Sequence, residues 1–185
     1  MGILGDGINE VIATTRYNAA PMGIICRDDK IRMVCFTGSH TAENIARDRW
    51  IVANILHDPV MYVRTAFTDL PKDAFYEEDV KGTRMCRLAD AEAYIAFSAI
   101  IEQRGNESMS VRLIPLAEKV VTCRPHAVNR GFAAVIEATV HATRYRISRS
   151  EDLKKLIDYN TSIVRKCGGT RELEALDLLE TYLKQ

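Results

Sequence analysis

A chain of 185 residues with 47% hydrophobic and 27% charged residues has room for one globular domain, or one with a smaller appendage, and for an apolar core that needs no disulfide or metal. Its 25 basic and 25 acidic side chains cancel, which leaves no bulk charge to hold nucleic acid and none to oppose self-association. No apolar run reaches the length of a membrane span, and Cys26, Cys35, Cys86, Cys123 and Cys167 are widely spaced, without CxxC or a histidine at ligand spacing, which argues against zinc and for a reducing, cytoplasmic setting.

The opening "MGILGDGINE" has neither a basic segment nor a long apolar stretch, so no secretory leader is expected. Its glycines follow no strand and read as a flexible entry, not a dinucleotide fingerprint. Residues 8–17, "INEVIATTRY", are rich in β-branched residues and predict a strand. "APMGIICRDDKIRMVCF" (20–36) predicts a hairpin turning at the polar "RDDK". "SHTAENIAR" has the length and caps of a short helix. "WIVANIL" (50–56) and "MYVRTAF" (61–67) predict two strands separated by a turn at His57-Asp58-Pro59. Residues 70–91 are mixed and read as a loop with a short helix or ribbon. Residues 92–105 and 109–121 predict two more strands, joined at "RGNE", with Pro115 marking an edge or bulge.

The period then changes. Phe132, Val135, Ile136, Thr139, Val140 and Thr143 recur as one helix face. Ser150 is placed to cap a second helix with a stripe of Leu153, Leu156, Ile157 and Val164. Gly168-Gly169 end it, and Thr170 is read as the cap of a last helix carrying Leu173, Leu176, Leu179 and Leu183. Strands followed by helices indicate an α+β protein: an antiparallel sheet or small barrel with a helical appendage.

Two stretches stand out chemically. "NAAPMGI" puts the small residues Ala19 and Ala20 beside Pro21 and Gly23, so a flat molecule could lie close to that strand. "FTGSHTAEN" ends a strand and opens a helix with Thr37, Gly38, Ser39, His40 and Thr41. Its helix start, hydroxyls and tight turn would suit a phosphate; taken alone, Ser39 or Thr41 is more simply a helix cap. Asn54, polar in an apolar run, needs a partner, expected from backbone across the sheet. His57 is read as structural, Trp50 as core or interface, Asn129 as a cap beside Arg124 and Arg130, and His126 and His141 lack a nucleophile partner. No GxSxG, HExxH, Walker or GxGxxG motif is present.

The order of "EVIATTRYNAAPMGI", "VCFTGSHTAENIARDRWIVANILHDP" and the late "NRGFAAVIEATVHATR" resembles a largely archaeal domain-of-unknown-function family of FMN-binding split-barrel proteins. That family is related to flavin reductases and pyridoxamine-phosphate oxidases. The resemblance implies a six-stranded antiparallel split barrel over residues 1–123, with a C-terminal helical subdomain, 124–185, packed on it. It also implies a homodimer holding FMN at or near the interface. Ala19, Ala20, Pro21, Met22 and Gly23 would run past the isoalloxazine edge, Phe36 and Thr37 beside the ribityl chain, and Gly38, Ser39, His40 and Thr41 around the phosphate, faced by Asn44. The oxidases' basic phosphate pair has no counterpart here beyond hydroxyls, His40 and Arg47, so pyridoxal chemistry is not implied. A flavin-dependent oxidoreductase or flavin reductase-like protein of unknown substrate is expected, the alternative being a non-catalytic flavin-binding or protein-interaction module.

Overall fold

The computed structural model describes residues 2–184. They form two compact units, one of residues up to Leu56 together with Leu70–Arg124, the other of His57–Asp69 together with residues from Pro125 onward.

The first unit is a closed antiparallel barrel of six strands: β1 (Gly7–Thr15), β2 (Asn18–Arg27), β3 (Lys30–Phe36), β4 (Trp50–Ile55), β7 (Ala93–Arg104) and β8 (Ser108–Val120). The order around it is β1-β2-β3-β8-β7-β4, closed by Ile12–Thr14 pairing with Val52–Asn54. Alternation along the strands sends Val11, Ala13, Ile24, Met33, Ile51, Ala53, Ile95, Phe97, Met109 and Val111 into one core. The β2–β3 hairpin turns where the sequence predicts, through Asp28 and Asp29, both with positive φ (51° and 58°), the geometry of a tight hairpin turn. Pro115 lies at a bulge: Ala96 pairs with Ala117 and Phe97 with Pro115, which leaves Leu116 unpaired.

The barrel is split on one side. β2 pairs with β1 over nearly its whole length, but with β3 only from Ile24 to Arg27. The last residues of β3, Val34–Phe36, pair with Ser108–Ser110 of β8 instead. Between the diverging halves sits helix α1 (His40–Asp48), whose Ala42 and Ile45 are fully buried in the barrel core.

A second, two-stranded sheet, β5 (Phe75–Val80) and β6 (Thr83–Leu88), follows a single 3-10 turn at Lys72–Ala74, so residues 70–91 form a ribbon. It is tied to the barrel by polar bonds. The Thr14 hydroxyl donates to the Cys86 carbonyl (2.6 Å) and the Leu88 amide donates to Asn54 Oδ1 (2.8 Å). The Tyr94 hydroxyl donates to Glu78 (2.6 Å), and burial, with that bond, pushes the phenol up to about 12.

The second unit holds four helices. Residues 61–67, expected as a strand, belong to helix α2 (Pro59–Phe67). Asp58 caps it, accepting from the Val60 amide (3.0 Å), and Pro59 occupies the first turn, where its missing amide costs nothing. Pro59, Val60, Tyr62, Val63 and Thr65 are its buried residues. Helices α3 (Arg130–Ser148), α4 (Glu151–Cys167) and α5 (Thr170–Leu183) complete the unit. Asn129 caps α3 as expected, accepting from the Gly131 amide (2.8 Å). The buried face of α3 is rotated from the expected one, being Gly131, Ala134, Val135, Ala138, Thr139 and Ala142. Small residues let the neighbouring helix approach: a Cβ on Gly131 would lie 2.6 Å from the Gly168 Cα. Thr170 is the first helical residue of α5, not its cap; Gly169 takes that position and its amide donates to Glu172 (2.8 Å). His57 is stacked between His126 (4.2 Å) and Phe132 (4.3 Å), a structural role.

Candidate functional site

The two stretches that stand out in the sequence meet at the split. In the sheet, Asn18–Gly23 of β2 pair with β1 alone, so their other backbone edge faces the gap. Met22 packs against the core, which by alternation turns Ala20 inward and Ala19, Pro21 and Gly23 outward. Ala19 is buried, and Ala20, Pro21, Met22 and Gly23 are half-buried. Across the gap, β3 ends with Val34 (51% exposed) and Phe36 (60% exposed), apolar side chains left uncovered on the outside of the barrel. The chain then turns through Thr37, Gly38 and Ser39 into α1.

Within that turn most hydroxyls are already committed. Thr37 anchors it to the β7–β8 connection, its amide donating to the Glu107 carbonyl (3.0 Å) and its hydroxyl to the Gly105 carbonyl (2.9 Å). The Ser39 hydroxyl donates to the Phe36 carbonyl (2.8 Å) and accepts from the Ala42 amide (3.2 Å), which makes Ser39 the helix cap. Gly38 is exposed, with open space where a side chain would stand, and His40 is exposed at the first helical position. The Thr41 amide lies in the first turn and has no acceptor within the helix. With the positive end of the helix dipole, this polar corner can accept an anion.

The side chains of Thr41 and Asn44 face β1 and β2. Thr41 is 1% exposed and its Oγ1 accepts from Asn18 Nδ2 (3.0 Å). Asn44 Nδ2 donates to the carbonyl and hydroxyl of Thr15 (3.1 and 3.2 Å), while its Oδ1 accepts from Arg47 (2.5 Å). Arg47 is in the last turn of α1, about 10 Å along the axis from the helix start, and leans on Asp48 (3.3 Å). Arg16, in the left-handed region at φ 53°, makes a two-pronged bond to Asp48 (2.6 and 3.0 Å). That guanidinium, chiefly through its hydrogen bonds, holds the Asp48 carboxyl below its ordinary value. Sequence reasoning passed over Thr15, Arg16, Asn18 and Asp48. The one signal for the first three was a polar turn directly ahead of "AAPMG"; Asp48, at the end of α1, had none.

Asn54 lies apart from this corner. It is fully buried, and its Nδ2 donates to the Ile12 carbonyl (2.8 Å) and to Thr14 Oγ1 (3.0 Å), so its partners are in the sheet, as expected. Among the described residues, no three or more His, Cys, Asp or Glu side chains gather as a metal site, and no helix is long and apolar enough to cross a membrane.

A closed six-stranded antiparallel barrel, split between two strands and plugged by a short helix, defines a split-barrel protein. The solved structure of flavin reductase HpaC complexed with NADP+ shares this fold, with a TM-score of 0.50 and 12% identity over 64% of this chain and 81% of that one. Residues 9–122 match the model of the N-terminal domain of a protein of unknown function, DUF447, and residues 129–181 match its C-terminal counterpart; the chain belongs to this family. It is 26% identical to the uncharacterized protein MJ1453 of Methanocaldococcus jannaschii, over 93% of this chain and 96% of that protein. It is 35% identical to MM1853 of Methanosarcina mazei, whose crystal structure is described as FMN-bound, over 96% of each chain with a TM-score of 0.89.

Proposed function

We propose that this chain is an FMN-binding flavoprotein that works as a flavin-dependent oxidoreductase. The observation that carries the reading is the likeness to MM1853, described as FMN-bound, at 35% identity and TM-score 0.89 over nearly the whole chain. The residues fit the group. The free edge of Asn18–Gly23 offers backbone donors and acceptors to the rim of an isoalloxazine, with small side chains beside them. The turn at Gly38–Thr41 offers the phosphate first-turn amides and a helix dipole. Phe36 and Val34, exposed between these places, give an apolar flank.

Bound FMN would supply the hydride or electron chemistry. The protein's part is to orient the ring against the β2 edge and anchor its phosphate at α1. Thr37, Ser39 and Asn44, polar side chains beside that anchor, are held in internal hydrogen bonds, so they shape the corner. The reading extends to a cytoplasmic protein and to a homodimer, the dimer supported by the apolar Val34, Phe36, Ile100 and Ile114 exposed on the outside of β3, β7 and β8.

The test is a visible spectrum of the purified protein followed by titration with FMN, then addition of NADH or NADPH without oxygen. Binding with bleaching of the flavin band supports the oxidoreductase; binding without reduction supports a carrier or scaffold. Failure to bind at micromolar FMN refutes the flavin reading, and a single-chain mass in sedimentation refutes the dimer.

A further inference from the structure

We propose that Asn18 and Thr41 form a positioning pair that fixes the phosphate corner against the ring edge, and so sets the preference for a phosphorylated over a non-phosphorylated flavin. The inference rests on the FMN reading. The two ends of the ligand would be held by different elements, the ring by β2 and the phosphate by the start of α1. What fixes their separation is the seating of α1.

The apolar part of that seating is small. Ala42 and Ile45 enter the core, and dispersion contacts of two such side chains resist sliding poorly because they carry no direction. Direction comes from the polar side. Thr41, Asn44 and Asp48 recur at i, i+3 and i+7, so they share one helix face. That face meets the β1–β2 connection at three points: Asn18 to Thr41, Thr15 to Asn44 and Arg16 to Asp48. The last two hold the middle and far end of the helix. The first is at its start, next to the turn at Gly38–His40.

The chain also makes Asn18 the first residue of the free edge of β2, next to Ala19. One hydrogen bond of 3.0 Å therefore links the residue that opens the ring edge to the first turn that would take the phosphate. Thr41, 1% exposed, cannot put its hydroxyl on a ligand without the corner opening, so it acts through the helix it holds. Breaking the bond frees the helix start to shift relative to β2. A flavin gripped at both ends then loses the fit between its ends; one gripped at the ring alone loses nothing.

Riboflavin, which lacks the phosphate, separates this role from a general effect on folding. The full-length protein is titrated with FMN and with riboflavin, following flavin fluorescence, alongside Thr41→Val, Asn18→Ala and Thr41→Ser. The parent is expected to prefer FMN. Thr41→Val, nearly isosteric, and Asn18→Ala are each expected to weaken FMN about tenfold and riboflavin less than about twofold. Thr41→Ser, which keeps the acceptor, is expected to retain the parent's preference. An unchanged FMN-to-riboflavin ratio in both variants overturns the inference. So does an equal loss of both flavins with a lowered melting temperature, which marks a structural bond only. A parent that binds neither flavin overturns the FMN reading itself, and this inference with it.

Discussion

Replacing Asn54 by Leu tests how much one buried amide contributes to holding the β5–β6 ribbon on the barrel. Asn54 is fully buried and serves three segments: it donates to the Ile12 carbonyl on β1 (2.8 Å), to Thr14 Oγ1 (3.0 Å) and to the Val52 carbonyl (3.2 Å), and accepts from the Leu88 amide on β6 (2.8 Å). Leucine has a similar branched shape but no polar atom. It strands the Leu88 amide in an apolar setting and removes a donor from the Ile12 carbonyl. At about 1–3 kcal/mol for each buried group left unsatisfied, less about 1 kcal/mol regained from apolar burial, the net loss is about 3 kcal/mol. For a chain of this size that lowers the melting temperature by about 6–12 °C. The assay is selective, because the chain has one tryptophan, Trp50, and it opens β4, the strand that carries Asn54. Its fluorescence reports the barrel. Asn54→Asp keeps an acceptor for Leu88 but sets a buried carboxylate against carbonyl oxygens, and is expected to melt lower still at neutral pH. A melt of Asn54→Leu within about 2 °C of the parent refutes the reasoning, since the amide would then contribute under about 1 kcal/mol.

Gly131→Ala is expected to destabilise the helical unit by about 1–3 kcal/mol, read as a lower far-UV melting temperature, because its methyl would stand 2.6 Å from the Gly168 Cα, a backbone atom that cannot rotate away. Asp48→Asn is expected to flatten the acid limb of barrel stability. A carboxyl held below its unfolded value contributes stability above that unfolded value, near 4, and the contribution fades as pH falls through the folded one; urea midpoints of parent and variant measured from pH 7 downward should therefore converge on acidification.

Much of the fold is legible because it rests on local pattern. The β2–β3 hairpin, both long strands β7 and β8, the bulge at Pro115 and the caps at Ser39 and Asn129 all follow from turn chemistry or alternation within a few residues. The failure at 61–67 has a physical cause. "MYVRTAF" is short, and its valine and aromatics suit a strand, so the decisive signal lay outside it, in Asp58-Pro59, where a capping carboxylate and a proline begin a helix. The buried face of α3 was misjudged because burial there follows close approach: Gly131, Ala134, Ala138 and Ala142 are buried in preference to larger neighbours. For the candidate site, the hydroxyl-rich turn was visible and its division of labour was not. Whether Thr41 and Asn44 turn toward a ligand or toward Asn18 and Thr15 depends on where the β1–β2 connection lies beside α1, a long-range matter that no spacing within "FTGSHTAEN" encodes.

The membership of α2 in the second unit bears on how the chain is made. Its apolar residues Val60, Tyr62 and Val63 leave the ribosome well before α3 begins at Arg130, and the whole of β5 to β8 is synthesised in between. For that interval the nascent protein carries a greasy helix whose cover does not yet exist. A gene fragment ending near residue 123 would make the condition permanent: it encodes every strand of the barrel and also an orphan helix, a surface that chaperones and aggregation would both recognise.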